Sequence, residues 1–398
     1  MSVRLSSSPG KAAEADGHHV AKVQFAGGDV ATGHAMPARA TPFAAGRAIC
    51  RTSWQDSGND TPSPTSCCSA TSAPCTWLPP RRPGKWAFAT MCSKRLLSPP
   101  LDHPGARGGQ RLFAATAGRE LVPRGRPPPA QAGTGQALPD LLQATRHPRR
   151  ALHLAGLANP VLFPRYRNHA PVTAPIEYAG YLKRFTQLRW WKPRDAERIR
   201  ALTEGKRPYF VLPLQLNGDA QIRNHSSFAD MPEVIEYVMA SFARHASADS
   251  LLCIKNHPLD MGLINYAGLI ERLEKRYDIV GRTVYLESGD LNVLFKAATG
   301  TVTVNSTSGI VALEHRCPTI ALSRPIYRLD GLTFEGGLDE FWRQGTPPDE
   351  ELFRCFHRTV MHTVQLNGGY YCDTGIELAV DNVAARLEAA TSPLEALL

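Results

Sequence analysis

The chain has 398 residues and a formal net charge of +9, and its length allows two domains that each bury a core. The excess positive charge lies in residues 1–150, which carry 19 Lys and Arg against 8 Asp and Glu, whereas the rest of the chain carries 26 against 28. The basic part has no recognisable nucleic-acid module, which argues against nucleic-acid binding. The sequence has no apolar run of about 18 residues and no apolar leader, which argues against a membrane span and against secretion. We therefore expect a cytoplasmic protein.

The nine cysteines lack the paired spacing of a zinc site or a disulfide framework. The sequence therefore predicts reduced thiols, no metal site and no cofactor.

Residues 1–150 differ in composition from the remainder of the chain. They contain 18 of the 32 prolines, in runs such as RRPGK and RGRPPPAQAGTGQ, and they show almost no amphipathic periodicity after Ala45. Such a composition is typical of low-complexity or disordered chain.

Residues 151–200 are predicted to form linker helices. Within them, Tyr181–Arg194 mixes Lys and Arg with Phe and Trp, as does a helix that lies on anionic lipid. A helix linking two domains has a similar composition. The pattern therefore leaves two roles open, contact between domains and peripheral attachment to the inner membrane.

Residues 201–390 have the pattern of an α/β domain. Short apolar runs alternate with stretches of helical spacing, and this alternation predicts a parallel sheet with right-handed crossovers, as in Rossmann-like domains. The predicted strands are YFVLPL, LLCIK, TVYLE, TVTV and PTIALS, and the predicted helices are PEVIEYVMASFARHA, INYAGLIERLEKRY, DLNVLFKAAT, GIVALEHR and DEELFRCFHRTVMHTVQL.

Polar clusters come directly after four of these strands: QLNGDAQIRNHS, KNHP, SGD and NSTSG. Ligands of open α/β sheets bind beyond the carboxyl ends of the strands. The clusters are therefore predicted to converge on one crevice.

NSTSG places Ser306, Thr307 and Ser308 at the start of a predicted helix, where free backbone N–H groups favour a phosphate. Gly309 would let the backbone approach that phosphate closely. Ser and Thr also cap helices that bind no ligand, so an ordinary helix cap is the alternative.

In KNHP, His257 can donate a hydrogen bond to a phosphate oxygen, and Pro258 restricts the turn. Lys255 could add charge, although the alternation of side chains along a strand could also point it away. A structural turn is the alternative interpretation.

Asp219, next to Gly218, is the best candidate for chemistry, because a carboxylate in a crevice can act as nucleophile or base on a sugar. Gln215, Gln221 and Asn305 are candidate supporting residues, and Glu314 could accept hydrogen bonds from ribose hydroxyls. Each has a plainer interpretation: Asp219 as a turn residue and Glu314 as part of a solvated helix face.

Taken together, PLQLNGDAQIRNHS, KNHP, NSTSGIVALEHRCPTIAL and VLFPRYRNH resemble the bacterial capsule polysaccharide biosynthesis and export family, over roughly Leu152 to Tyr371. The family is similar to two-domain nucleotide-sugar transferases of the GT-B type. The resemblance implies retaining transfer of β-linked 3-deoxy-D-manno-oct-2-ulosonic acid (Kdo) from the donor substrate CMP-Kdo to a lysophosphatidylglycerol-type glycolipid acceptor, with other capsule assembly and export proteins as partners.

Carried onto this sequence, the resemblance implies that Asp219 is the catalytic aspartate and that His257 and Pro258 hold the CMP phosphate. Ser306 and Thr307 match the phosphate loop of the family, and Glu314 matches its ribose contact.

The resemblance also includes Gly17–Asp29, which is similar to the family's first strand region, so residues 1–45 are interpreted as a remnant of an N-terminal Rossmann-like domain. The expected motifs LFGDxRPxH and FEEGY are missing from the printed frame. Read one nucleotide early from Cys68, the codons permit LFGDIRPVHL. Residues 46–150 are therefore interpreted as translated out of frame, or else as a disordered insert, with the N-terminal domain corrupted or missing.

Three functions remain open from the sequence: a Kdo transferase whose own chain is active or inactive, a non-catalytic component of capsule export, and a UDP-sugar epimerase of similar fold.

Overall fold

The structure is a computed structural model, and it describes residues 174–363, 365 and 382 together with four short segments near the N-terminus. These segments form two parallel pairs: β1 (Lys22–Gln24) pairs with β2 (Ala40–Pro42), and β3 (Ser66–Cys68) pairs with β4 (Thr90–Cys92). Strand β1 lies inside the stretch that resembles the family's first strand. The remaining predictions for residues 1–173, including the frame interpretation, fall outside the described residues.

The C-terminal region contains the predicted parallel sheet, which confirms the α/β fold. Its five strands are β5 (Tyr209–Pro213), β6 (Leu251–Lys255), β7 (Thr283–Leu286), β8 (Gly300–Thr303) and β9 (Thr319–Ala321). All neighbouring strands are parallel, and their order across the sheet is β7-β6-β5-β8-β9.

Eight helices are described in this region. They are α1 (Ala174–Glu204), α2 (Ala220–His225), α3 (Met231–His245), α4 (Tyr266–Arg276), α5 (Leu291–Ala297), α6 (Ser308–Glu314), α7 (Leu338–Gln344) and α8 (Glu350–Thr363). None of these described helices is long and apolar enough to cross a membrane.

Both faces of the sheet are covered, because successive side chains of each strand point to opposite sides. Phe210 and Leu212 belong to a buried cluster with side chains of α3, α4 and α7. Tyr209 and Val211 belong to a second buried cluster with side chains of α1, α5 and α6. The apolar runs of the strands are therefore continuous rather than alternating with polar residues, which explains why they could be located from the sequence.

Two short helices were not predicted: α2, which has six residues, and α7, which has seven. The described part of the predicted linker lies in one helix of 31 residues, α1, which continues through Pro193 and ends four residues beyond the predicted linker. Its side chains Leu202 and Ile199 pack against the second cluster, so α1 covers one face of the sheet.

Candidate functional site

The strand order creates a crevice next to the central strand. From β5 the chain moves outward through β6 to β7, then returns to the other side of β5 and continues through β8 to β9. The loops after β5 and β8 therefore lead away from each other, and such a switch point is where open α/β sheets bind ligands. Asp219 lies after β5 and Ser306 after β8, while His257 lies after the adjacent β6.

A pair of buried amides joins the loops on either side of this switch point. Gln215 Nε2 donates to Asn305 Oδ1 at 3.0 Å. Asn305 Nδ2 in turn donates to the carbonyl oxygens of Gln221 at 2.9 Å and His225 at 3.2 Å. Gln215 and Asn305 therefore connect the two loops and hold both ends of α2, and their amide groups are occupied by protein partners.

Asp219 is the N-cap residue of α2. Its Oδ1 accepts a hydrogen bond from the backbone N–H of Gln221 at 2.9 Å, and its own N–H donates to the carbonyl oxygen of Leu216 at 2.9 Å. The side chain is half-buried. Capping at one carboxylate oxygen fixes the orientation of the group.

The His257 side chain is oriented by the loop that carries it. Asn256 Oδ1 accepts a hydrogen bond from the His257 backbone N–H at 2.7 Å, and the Leu259 N–H donates to His257 Nδ1 at 3.1 Å. A neutral imidazole that accepts at Nδ1 carries its proton on Nε2, so this hydrogen bond assigns the tautomer. Pro258 is exposed beside it.

Ser306, Thr307 and Ser308 form a tight turn before α6. Ser306 Oγ accepts a hydrogen bond from the Ser308 N–H at 3.2 Å, and the Ser306 N–H donates to Thr303 Oγ1 at 3.3 Å. Thr307 occupies the N-cap position without a side-chain cap bond. Among the described residues, the buried Ser308 Oγ has no hydrogen-bond partner.

The packing around Gly309 requires a residue without a side chain, which the sequence did not indicate. A methyl group at this position would overlap the phenol of Tyr327. Tyr327 is buried, and its hydroxyl donates to the carbonyl oxygen of Ser306 at 2.5 Å. Gly309 thus makes room for the side chain that holds the backbone of Ser306.

Glu314 lies apart from the other predicted residues along α6. It is exposed and is the last residue of the helix, six residues after Ser308, which is about 9 Å along the axis. The structure therefore groups Asp219, His257 and Ser306 on adjacent loops and leaves Glu314 at the far end of α6.

Arg184 on α1 contacts the loops after both β6 and β7, a role that was not predicted from the sequence. The side chain is 4% exposed. Its Nη1 donates to the carbonyl oxygen and to Oδ1 of Asp260 at 2.8 and 3.1 Å. Its Nη2 donates to the carbonyl oxygens of His257 at 3.1 Å and Glu287 at 3.2 Å. It also forms an ion pair with the Glu287 carboxylate at 3.3 Å.

A second anchor lies three helical turns further along α1. The Asp195 carboxylate is fully buried, and its Oδ2 accepts hydrogen bonds from the backbone N–H groups of Glu287 and Ser288, both at 2.9 Å. Arg194 pairs with its Oδ1 at 2.9 Å. Helix α1 is therefore fixed to the carboxyl edge of the sheet by a buried cation and a buried anion.

Lys255, predicted to contact phosphate, lies beneath the loops. The side chain is 3% exposed, and its Nζ donates to the carbonyl oxygen of Asn256 at 2.7 Å. Burial, reinforced by the charge of Arg184, lowers its pKa to about 8. Strand alternation places it on the same face as Cys253, and its contact with phosphate stays a prediction.

Comparisons with known proteins agree on one family. The family model "Capsule polysaccharide biosynthesis protein" matches residues 130–371. The capsule polysaccharide export protein KpsS of Escherichia coli is 36% identical over 210 residues, which cover 52% of this chain and 54% of that protein. The capsule polysaccharide modification protein LipB of Neisseria meningitidis serogroup B is 36% identical over 217 residues, which cover 54% of this chain and 51% of that protein. The chain thus spans about half the length of these relatives.

Among solved structures, the chain is similar to the β Kdo 2,7 transferase of Thermosulfurimonas dismutans KpsC. The two share 17% sequence identity with a TM-score of 0.29, over 48% of this chain and 60% of that chain.

Proposed function

Because the chain belongs to the capsule polysaccharide biosynthesis protein family, we propose that its C-terminal domain binds CMP-Kdo and serves the transfer of β-Kdo to a lysophosphatidylglycerol-type acceptor. One observation carries the proposal. Asp219, His257 and Ser306 lie directly after three adjacent strands around the switch point of the sheet, where a nucleotide sugar is expected to bind.

The types of residue around the crevice suit a donor with a single phosphate. The hydroxyls of Ser306 and Thr307 are neutral hydrogen-bond donors, and His257 Nε2 can donate while Nδ1 accepts from the Leu259 N–H. The one lysine of the predicted site is buried beneath the loops. In the proposed complex these donors contact the CMP phosphate and stabilise the charge that it gains as the leaving group.

Asp219 is the proposed nucleophile. Its carboxylate oxygen bonds to the anomeric carbon while the bond from that carbon to the phosphate oxygen breaks, and CMP leaves with the electron pair. The acceptor hydroxyl then attacks the same carbon, displaces the carboxylate and gives its proton to water, so that two inversions give net retention. In the alternative form of this mechanism, the Asp219 carboxylate stabilises the positive charge on the sugar without forming a bond to it.

A GT-B arrangement, in which an N-terminal domain supplies the acceptor side, belongs to this proposal. So do the partners: a glycolipid acceptor and other capsule assembly proteins, in keeping with the export and modification functions in the relatives' names.

One observation favours a second candidate, a nucleotide-binding component without turnover. The N-cap hydrogen bond from Gln221 to Asp219 gives this aspartate a complete structural role, and such a role requires no chemistry.

The experiment that separates the candidates compares Asp219→Asn with Asp219→Ala in the full chain. Asn caps a helix about as well as Asp, so Asp219→Asn retains the helix cap and removes the carboxylate. The transferase proposal expects Asp219→Asn to bind CMP normally by calorimetry but to lose at least about 100-fold in Kdo transfer from CMP-Kdo.

Asp219→Ala is the matched control for the cap, and it is expected to lose about 1 kcal/mol of stability as well. Unchanged transfer in Asp219→Asn, or CMP binding without any transfer by the unaltered chain, would support the non-catalytic component. Tighter binding of UMP than of CMP would overturn the CMP-Kdo proposal in favour of a UDP-sugar enzyme.

A further inference from the structure

The side of α1 that faces away from the sheet carries large apolar side chains. Leu182, Phe185 and Trp190 are 69%, 61% and 58% exposed. Leu182 and Phe185 are three residues apart and therefore neighbours on the helix surface. Grouped apolar side chains that are this exposed indicate a contact surface.

Cations surround these apolar groups. Lys183, Arg189 and Lys192 are exposed, and the segment Tyr181–Arg194 contains no acidic residue. The next carboxylate along the helix, Asp195, is fully buried. The one after it, Glu197, is exposed but pairs with Arg200, so neither offsets this charge at the surface. The Arg189 guanidinium lies over the Trp190 ring, 5.5 Å from its centroid.

We propose that this α1 surface, formed by Leu182, Phe185 and Trp190 with Lys183, Arg189 and Lys192, rests on an anionic phospholipid bilayer. Exposed Leu, Phe and Trp side chains enter the boundary between headgroups and acyl chains, while Lys and Arg contact the headgroup phosphates. A surface with cations and no carboxylate is complementary in charge to anionic lipid, and its aromatic groups suit the interface.

If the proposed function holds, contact of α1 with lipid also fixes the distance between the donor crevice and the bilayer. Arg184 and Asp195 lie on the opposite side of the same helix and hold the loops after β6 and β7. An α-helix with its side chains is about 10–12 Å across. The proposed donor crevice is then held about one helix diameter from the lipid surface, within reach of a lipid acceptor.

The test is sedimentation of the full chain with vesicles of phosphatidylcholine alone and of phosphatidylcholine with about one-third phosphatidylglycerol, at about 0.15 M salt. The unaltered protein should pellet with the anionic vesicles and remain in solution with the neutral ones. The charge variant Lys183→Gln/Arg189→Gln/Lys192→Gln should lower the partition coefficient at least about tenfold. The apolar variant Leu182→Gln/Phe185→Gln/Trp190→Gln should lower it by a similar factor.

A matched control removes one exposed apolar group and one exposed cation elsewhere. Val280 is 67% exposed and Lys296 is exposed on α5, and Val280→Gln/Lys296→Gln should bind vesicles like the unaltered protein. Circular dichroism and CMP calorimetry verify that each variant is folded, and they report on the nucleotide site independently of the lipid contact. Equal binding by the α1 variants and the control would overturn the proposal. Self-association without vesicles that only the apolar variant abolishes would also overturn it, because a second copy of the chain would then cover the α1 surface.

Discussion

Arg184 Nη2 donates to the carbonyl oxygen of His257 at 3.1 Å, and this contact joins α1 to the loop that carries the proposed phosphate ligand. The same guanidinium holds Asp260, three residues further along that loop. The position of His257 therefore depends on a helix that is distant in sequence.

Arg184→Met should destabilise the protein and weaken nucleotide binding. It leaves the carboxylates of Asp260 and Glu287 without their buried cation, and such a loss typically costs about 3–5 kcal/mol. Arg184→Lys keeps the charge but cannot reproduce the fork of donors, so it should show an intermediate effect. Urea unfolding measures the first effect and CMP calorimetry the second.

Arg198 provides the matched control, because it is an exposed arginine on the same helix with a single hydrogen bond to the carbonyl oxygen of Tyr285 at 2.8 Å. Arg198→Met should cost less than about 1 kcal/mol and leave CMP affinity unchanged. An equal loss in Arg184→Met and Arg198→Met would show that Arg184 does not position the loop.

Gly309→Ala should destabilise the protein by about 1–3 kcal/mol, since the new methyl group overlaps the Tyr327 phenol. Displacement of Tyr327 also breaks its hydrogen bond to the Ser306 carbonyl, so CMP affinity should fall with stability. Gly337→Ala is the control, because a methyl group there meets no described atom within 4 Å. Gly337 is the N-cap residue of α7, so this variant should lose only the preference for Gly over Ala at a cap, less than about 1 kcal/mol. Thermal unfolding measures the stability of both variants. An equal loss of stability in Gly309→Ala and Gly337→Ala would contradict the packing argument.

The sheet and most of its helices were predictable because their apolar runs are long and buried. The predicted LLCIK strand coincides with β6, and the ends of the other strands and of helices α3 and α4 shift by one or two residues. The loops that converge on the crevice were predictable for the same reason, since each begins at the end of a recognisable strand.

The buried charges of α1 were not predicted, because their partners in the loops lie 73 to 103 residues away along the chain. Tyr181–Arg194 is a uniformly basic and aromatic stretch, and nothing in it marks Arg184 as buried. A usable signal was the spacing of Arg184 and Asp195: eleven residues are about three helical turns, which places a cation and an anion on one face of the helix.

The stability of the protein should depend on pH through Lys255. Its pKa falls from the usual 10.5 to about 8 in the folded chain, so between these values the unfolded chain binds a proton that the folded chain has lost. Unfolding free energy therefore rises with pH across this window. Relative to Lys255→Met, the unaltered protein should gain about 2–3 kcal/mol between pH 7.5 and 10.

Urea titrations of both proteins at several pH values measure this difference, and the alkaline titration of tyrosines cancels because the two proteins share them. A constant difference across the window would mean that Lys255 keeps an ordinary pKa. A difference that falls with rising pH would show that the nearby carboxylates of Glu287 and Asp195 hold the lysine charged.

Asn305→Asp should be strongly destabilising although it changes one atom. The amide Nδ2 donates to the carbonyl oxygens of Gln221 and His225. An oxygen in its place faces two acceptors from a buried site, at a cost of at least about 2 kcal/mol.

Asn217→Asp is the control in which the amide oxygen, not the amide N–H, makes the contact: Asn217 Oδ1 accepts from the Met231 N–H at the start of α3 at 3.0 Å. A carboxylate retains that bond and is favoured at a helix N-terminus, so urea unfolding should show Asn217→Asp to be neutral or slightly stabilising. Similar losses in both variants would refute the assigned donor role of Asn305.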